Sequence, residues 1–305
     1  MASSRRYAEL HLHLEGCIDE EILREIAPQL DSSLVASQLR FKSFPGFLDS
    51  FKFAVMQFRE PEHFRLLARR AFARAASQGV VYAEVIHSAG VCLKRGLDAK
   101  AIAEALIDEG RNAPLEIRWI FDAVRQFGEE HIYETARFAV GFQGTDVVGF
   151  GVGGDEASNP ATALKRGFQL AKEQGLKLTP HAGETTNSQN VLEVLRLGAD
   201  RIGHGIRSVD DPELVAELAQ RQIPLEISLT SNVLTGAVKS YESHPVRVLH
   251  DAGVPIILNT DDPGFFDTTM DREFAHAQGL GFTAAELEQI RLNGFRFAFC
   301  PTPLA

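Results

Sequence analysis

The chain has 305 residues with 31 Lys and Arg against 41 Asp and Glu, a net charge of −10. That balance argues against a protein that tracks nucleic-acid phosphates with a basic stripe, though not against a nucleoside as a small ligand. Cys17, Cys92 and Cys300 form no CxxC pair, so no thiolate metal site is expected and a reducing, cytoplasmic setting fits. No run approaches the roughly 18 apolar residues of a membrane span, and MASSRRYAEL has no signal-type apolar stretch.

Short β-rich apolar runs alternate with helical patterns along the chain. The first is YAELHLHLEG, Tyr7 to Gly16, followed by more than sixty residues before VVYAEVIHS, Val80 to Ser88. LEIRWIFDAV (115–124), VVGFGVGG (147–154), LKLTPHAGE (176–184) and RIGHG (201–205) come next, and IPLEISLTSN (223–232) and VPIILNTDDP (254–263) close the series. Gly175, Gly198 and Gly253 stand where helices stop before the next strand. Eight strand–helix units predict an α/β fold, a (β/α)8 TIM barrel, held as one domain over 1–305. A doubly wound sheet has the same periodicity, but no GxGxxG follows the first strand. The long first interval, about 18–79, reads as a helical insertion. Its Phe41, Phe44, Phe47, Phe51 and Phe58, mostly three or four apart, predict helices packed on the barrel and an apolar cover over the C-terminal strand ends. Thr283-x-x-Glu286 predicts a capping box on the last helix.

The residues that can carry chemistry sit at strand ends. His11 and His13 are two apart in a strand and share a face. His181 ends the fifth run, His204 the sixth, and Asp261 and Asp262 the eighth. Singly each has an ordinary structural reading. Together they lie on the face where a barrel builds its active site, and they predict a metal centre. Imidazoles with a carboxylate suit zinc and accept iron, cobalt or manganese. Strand four has no lysine to bridge two metals, so one ion is expected.

HLHLEG, PHAGE, RIGHG, LTSNVLTGAV and NTDDP, in this order and on these strands, resemble the adenosine deaminase family of the amidohydrolase barrels. The resemblance runs from about Glu9 to Pro263. It implies one catalytic Zn2+ held by His11, His13, His181 and Asp261, a proton donor at Glu184, and catalytic roles for His204 and Asp262. It also implies substrate contacts from His13, Glu15, Gly154 and Asp262, with the Gly154 backbone at purine N3. The reaction implied is hydrolytic deamination of a 6-aminopurine nucleoside, adenosine or a 5′-modified adenosine, to the 6-oxo product and ammonia. The partner is then a small purine nucleoside, with no nucleic acid and no membrane.

The sequence departs from the common family pattern on the sugar side. Glu15 stands where many members have Asp, Ile227-Ser228-Leu229-Thr230 replaces a Cys-Pro-x-Ser run, and His87-Ser88-Ala89-Gly90 replaces a Ser-Pro-type ending. Glu15, two residues past His13, is expected to point into the same pocket with a longer reach than Asp. A nucleoside altered at the 5′ position, such as aminodeoxyfutalosine of menaquinone synthesis, and free adenine are therefore the alternative substrates. A different amidohydrolase reaction would not need Glu184, and a non-catalytic barrel should have lost one of these residues. The other zinc deaminases pair HxE with PCxxC, and no PCxxC is present.

Overall fold

The computed structural model describes residues 5–157 and 159–300; residues 1–4, 158 and 301–305 of the expected 1–305 span lie outside the description. Eight strands, β1 (Tyr7–His13), β2 (Val80–His87), β3 (Glu116–Val124), β4 (Val147–Gly153), β5 (Lys177–Ala182), β6 (Ile202–His204), β7 (Leu225–Ile227) and β8 (Ile256–Leu258), pair parallel in sequence order. Helices connect them, so the chain is the expected (β/α)8 barrel. Each strand starts within two residues of its expected position. Helices cover the outside and side chains fill the inside, which is why the strands read as apolar runs rather than alternating ones.

The seam between β8 and β1 is closed by other means than a full ladder. Asn259 Oδ1 accepts from the backbone N–H groups of Leu10 and His11 at 2.9 and 3.1 Å. Beyond it, His13 N–H donates to the Asp261 carbonyl at 2.9 Å, and Asp261 N–H to the His11 carbonyl at 3.2 Å. This short stitch lays the two histidines of β1 directly beside Asp261.

The insertion divides the two expected roles between helices. It comprises α1 (Glu20–Ile26), α2 (Ser32–Gln38), α3 (Phe44–Val55) and α4 (Pro61–Ser77). Helix α4 buries Phe64, Leu67, Ala71 and Ala75 at helical spacing, and Phe58 packs fully buried against Phe64 at 5.6 Å. Helix α3 instead reaches the loop after β8, where Phe47 lies 5.1 Å from Phe266 and Phe51 5.7 Å from Phe265. The last helix, Ala284–Arg296, carries the expected reciprocal capping box between Thr283 and Glu286. No described helix is long and apolar enough to cross a membrane.

The barrel interior holds a charged network that composition alone does not suggest. Arg201, 1 % exposed, donates from Nε to Glu226 and from Nη2 to Glu84, both at 2.5 Å, and from Nη1 to the Phe297 carbonyl at 2.9 Å. Burial would raise Glu226, but the Arg201 charge and His11 outweigh it and hold this carboxyl at about 2. Removing one partner of such a network strands the others in a dry interior. Arg201→Met should therefore lower the unfolding free energy by about 3–5 kcal/mol, seen as an earlier urea midpoint. An unchanged midpoint would contradict this account.

Candidate metal and catalytic centre

Four lone-pair donors converge at the C-terminal mouth of the barrel. His11 Nε2 and His13 Nε2 each lie 3.1 Å from His181 Nε2. Both also lie 3.4 Å from Asp261 Oδ1. Ligands bound tetrahedrally at about 2.0–2.1 Å stand roughly 3.3–3.4 Å apart, so these spacings fit one transition-metal cation. Glu226 Oε2 accepts from His11 Nδ1 at 2.6 Å; against the burial of the ring, Asp261 and Glu226 push His11 up to about 10, so a bound cation would take the place of the Nε2 proton while Nδ1–H stays anchored on Glu226. Thr179 Oγ1 and Arg201 fix Glu226 in turn.

His204 belongs to the same neighbourhood: His11, His181, His204 and Asp261 offer atoms within 4.8 Å of one another. Its protonation argues against ligation. Val246 N–H donates to His244 Nδ1 at 3.1 Å, so neutral His244 carries its proton on Nε2, which donates to Asn232 Oδ1 at 3.2 Å. Asn232 Nδ2 then donates to His204 Nδ1 at 3.1 Å. Burial lowers His204 to about 4, leaving a neutral ring whose proton sits on Nε2. That N–H faces Glu184 Oε2 at 3.6 Å and Asp261 Oδ2 at 3.8 Å. His204 and Asp261 both adopt positive φ, 59° and 64°, a conformation costly for side-chain-bearing residues and recurrent where a site over-determines the backbone.

The carboxyls around this cluster are pushed apart in acidity. Burial, then the Asp261 and Glu156 charges, raise Glu184 well above the usual carboxylate range. Burial and the Asp261 charge do the same to Asp262. Asp261 goes the other way, because His11 and the neighbouring imidazoles outweigh its burial. The result is one ionised carboxylate for a cation and two carboxyls able to hold a proton. Glu156 fixes the turn that bears Glu184, accepting from Gly183 N–H at 2.8 Å, Glu184 N–H at 3.3 Å and Thr186 Oγ1 at 2.6 Å.

One cavity of about 420 Å³ joins these groups to the insertion. His13, His181, Glu184, His204, Asp261 and Asp262 line its inner end, with Gly154 and Asp122 beside them. Gly154 has φ +98°, and a Cβ there would stand 2.3 Å from Gln126 Oε1. Gly16 is needed for a different reason: its Cβ would overlap Asp262 Oδ1 at 2.1 Å.

Glu15 departs from its expected position. The chain leaves the extended conformation at Leu14 and enters a short 3-10 turn, so the strand alternation that aims His13 inward stops before Glu15. Glu15 does not line the cavity. Its Oε1 accepts from His87 Nδ1 at 2.8 Å and its two oxygens from Ser88 N–H at 3.2 and 3.3 Å. Burial would lower His87, but the Glu15 charge outweighs it and pushes the ring up to about 10, making a buried ion pair. Glu15 thus acts behind Ser88, which does line the cavity.

Sequence reasoning missed Glu226, Glu156, Asp122 and the His244–Asn232 relay. Glu226 and Glu84 had a signal, since an acid in the middle of an apolar strand such as IPLEISL needs a buried partner. Asp122, at the end of β3, leaves Oδ1 without a hydrogen-bond partner.

A family model described as adenosine deaminase matches residues 7–304. The chain is 37 % identical to an aminodeoxyfutalosine deaminase of Streptomyces coelicolor, covering 97 % of this chain and 80 % of that protein. The crystal structure of adenine deaminase from Arthrobacter aurescens superimposes with a TM-score of 0.90 at 27 % identity, covering 97 % of this chain and 94 % of the other. An amidohydrolase from Burkholderia ambifaria with bound Zn gives 0.88 at 26 % identity, covering 97 % and 86 %.

The geometry separates ligands from neighbours in a way metal titration can check. His13→Ala should abolish stoichiometric metal binding, whereas His204→Ala should keep about one equivalent. Glu226→Gln should weaken metal affinity by about 10–100-fold in competition with a chromophoric chelator. Loss of metal from the His204 variant with retention in the His13 variant would reverse the assignment.

Proposed function

The chain belongs to the adenosine deaminase family, and from that premise we propose that it hydrolyses the 6-amino group of a purine nucleoside substituted at the 5′ position, aminodeoxyfutalosine being the representative substrate. The observation that carries this reading is a single cavity with Glu184 at its inner end and the phenylalanines of α3 at its mouth. Its volume suits a ligand larger than a bare base.

A cation held by His11, His13, His181 and Asp261, zinc by donor type, would supply a water activated to ionise near neutral pH. The remaining work falls to the chain. Addition of the water oxygen at C6 breaks the ring's conjugation, so N1 must gain a proton as the new bond forms. Glu184, kept protonated by burial, donates it. The Nε2–H of His204 donates a hydrogen bond to the attacking oxygen and orients it together with Asp262, while Glu184, left ionised by its donation to N1, accepts that oxygen's proton and passes it to the departing amine. The C6–N6 bond then breaks, ammonia leaves, and the 6-oxo purine remains. The Gly154 backbone, free of a Cβ, meets the base edge at N3.

Free adenine is the second reading, favoured by the close likeness to an adenine deaminase structure. Comparing kcat/KM for free adenine, adenosine, 5′-deoxyadenosine and aminodeoxyfutalosine separates the two. The 5′-substituted nucleosides should lead, and a preference for adenine of at least about 10²-fold would overturn the nucleoside reading. Glu184→Gln should lower kcat at least about 10²-fold with metal retained; near-normal turnover would remove Glu184 from the mechanism. Glu15→Asp should act through Ser88 and through stability rather than by direct contact with the sugar.

A further inference from the structure

We propose that the segment after the last helix, Phe297 to Cys300, is a plug in the N-terminal end of the barrel that sets metal affinity at the opposite end, with Phe299 as its positioning residue. The inference rests on the metal centre and not on the identity of the substrate.

The segment closes the barrel from below. The last helix ends at Arg296, and Phe297, Ala298 and Cys300 then pack against a small separate core that includes Leu10, Tyr82 and Ile257. Phe299 reaches the charged interior itself. Its ring centroid lies 3.5 Å from Arg201 Cζ, over the guanidinium, and its N–H donates to Glu84 Oε1 at 2.5 Å. Gly149, near the start of β4, makes room for the ring, since a Cβ there would stand 3.2 Å from Phe299 Cε2.

From this ring a chain of short bonds leads to a metal ligand. Each donor nitrogen of Arg201 is bonded inside the protein, Nη1 to the Phe297 carbonyl, Nη2 to Glu84 and Nε to Glu226. Glu226 in turn accepts from His11 Nδ1 at 2.6 Å. Two fully buried carboxyl groups thus share one guanidinium, with the Phe299 ring across its face. In a dry setting the attraction is strong, and water admitted beside Arg201 would raise the local dielectric and weaken it. Glu226 would then be freer to turn, and His11 would lose the fixed direction in which Nε2 meets a cation. Stability alone is the ordinary role of groups at this end of a barrel. Here only two side chains, Arg201 and Glu226, stand between Phe299 and a metal ligand.

The test measures Zn2+ affinity by competition with a chromophoric chelator, in buffer where every variant is folded. Phe299→Ala should weaken binding at least about 5-fold, somewhat less than loss of a group that touches the ligand itself. Phe299→Tyr, which keeps the ring face, should restore most of it. Phe295→Leu, a change in the same lower core away from the Arg201 bonds, should lower stability and leave metal affinity unchanged. Combined with Glu226→Gln, Phe299→Ala should add little further loss, because both act through one carboxylate. In metal-free protein the Arg201 Nε–H resonance, identified by its absence in Arg201→Lys, should exchange with solvent at least about 10-fold faster in Phe299→Ala. Unchanged affinity in Phe299→Ala, an equal loss in Phe295→Leu, full additivity with Glu226→Gln, or unaltered Nε–H exchange would each overturn the plug. Wild-type protein that takes up no metal would overturn the plug and the ligand assignment together. Wild-type protein that binds metal but deaminates no 6-aminopurine would defeat the deaminase reading, while the variant affinities decide the plug by themselves.

Discussion

Lone pairs from three imidazoles and a carboxylate, brought within 3.1–3.4 Å of one another in a buried place, repel unless a cation lies among them. That constraint organises the inner end of the barrel. It explains why the seam from β8 to β1 is stitched by Asn259 and by main-chain bonds at Asp261, since a slipped register would separate His11 and His13 from their neighbours. It also explains the buried Glu226 behind His11, whose grip on that ring depends on Arg201 deep in the barrel. Stability and metal binding are therefore coupled through one carboxylate.

The same electrostatics sets the proton positions. Asp261, surrounded by imidazoles, stays ionised, and its charge helps keep Asp262 and Glu184 protonated. The relay from the Val246 backbone through His244 and Asn232 fixes the proton of His204 on Nε2. His204 accordingly belongs to the site as a hydrogen-bond donor.

The barrel was legible because buried parallel strands leave continuous apolar runs separated by helical periods, and because glycines such as Gly175 and Gly198 punctuate helix ends. The cluster was legible because HxH in a strand shares a face and because strand ends in a barrel converge. Glu15 was misread because periodicity says where alternation is present, not where it stops; the turn at Leu14 depends on packing against β2 and on the bond to Ser88. Glu156 and the His244–Asn232 pair act across long sequence gaps, and no local pattern marks such contacts.

The most direct test is a crystal structure of the metal-loaded enzyme with a 5′-substituted inosine, with anomalous scattering recorded at the metal edge. The account predicts one anomalous peak at about 2.0–2.1 Å from ligand atoms of His11, His13, His181 and Asp261. It also predicts purine N1 within hydrogen-bond reach of Glu184 and N3 against the Gly154 backbone. A peak ligated by His204, or a base bound with N1 turned away from Glu184, would contradict it.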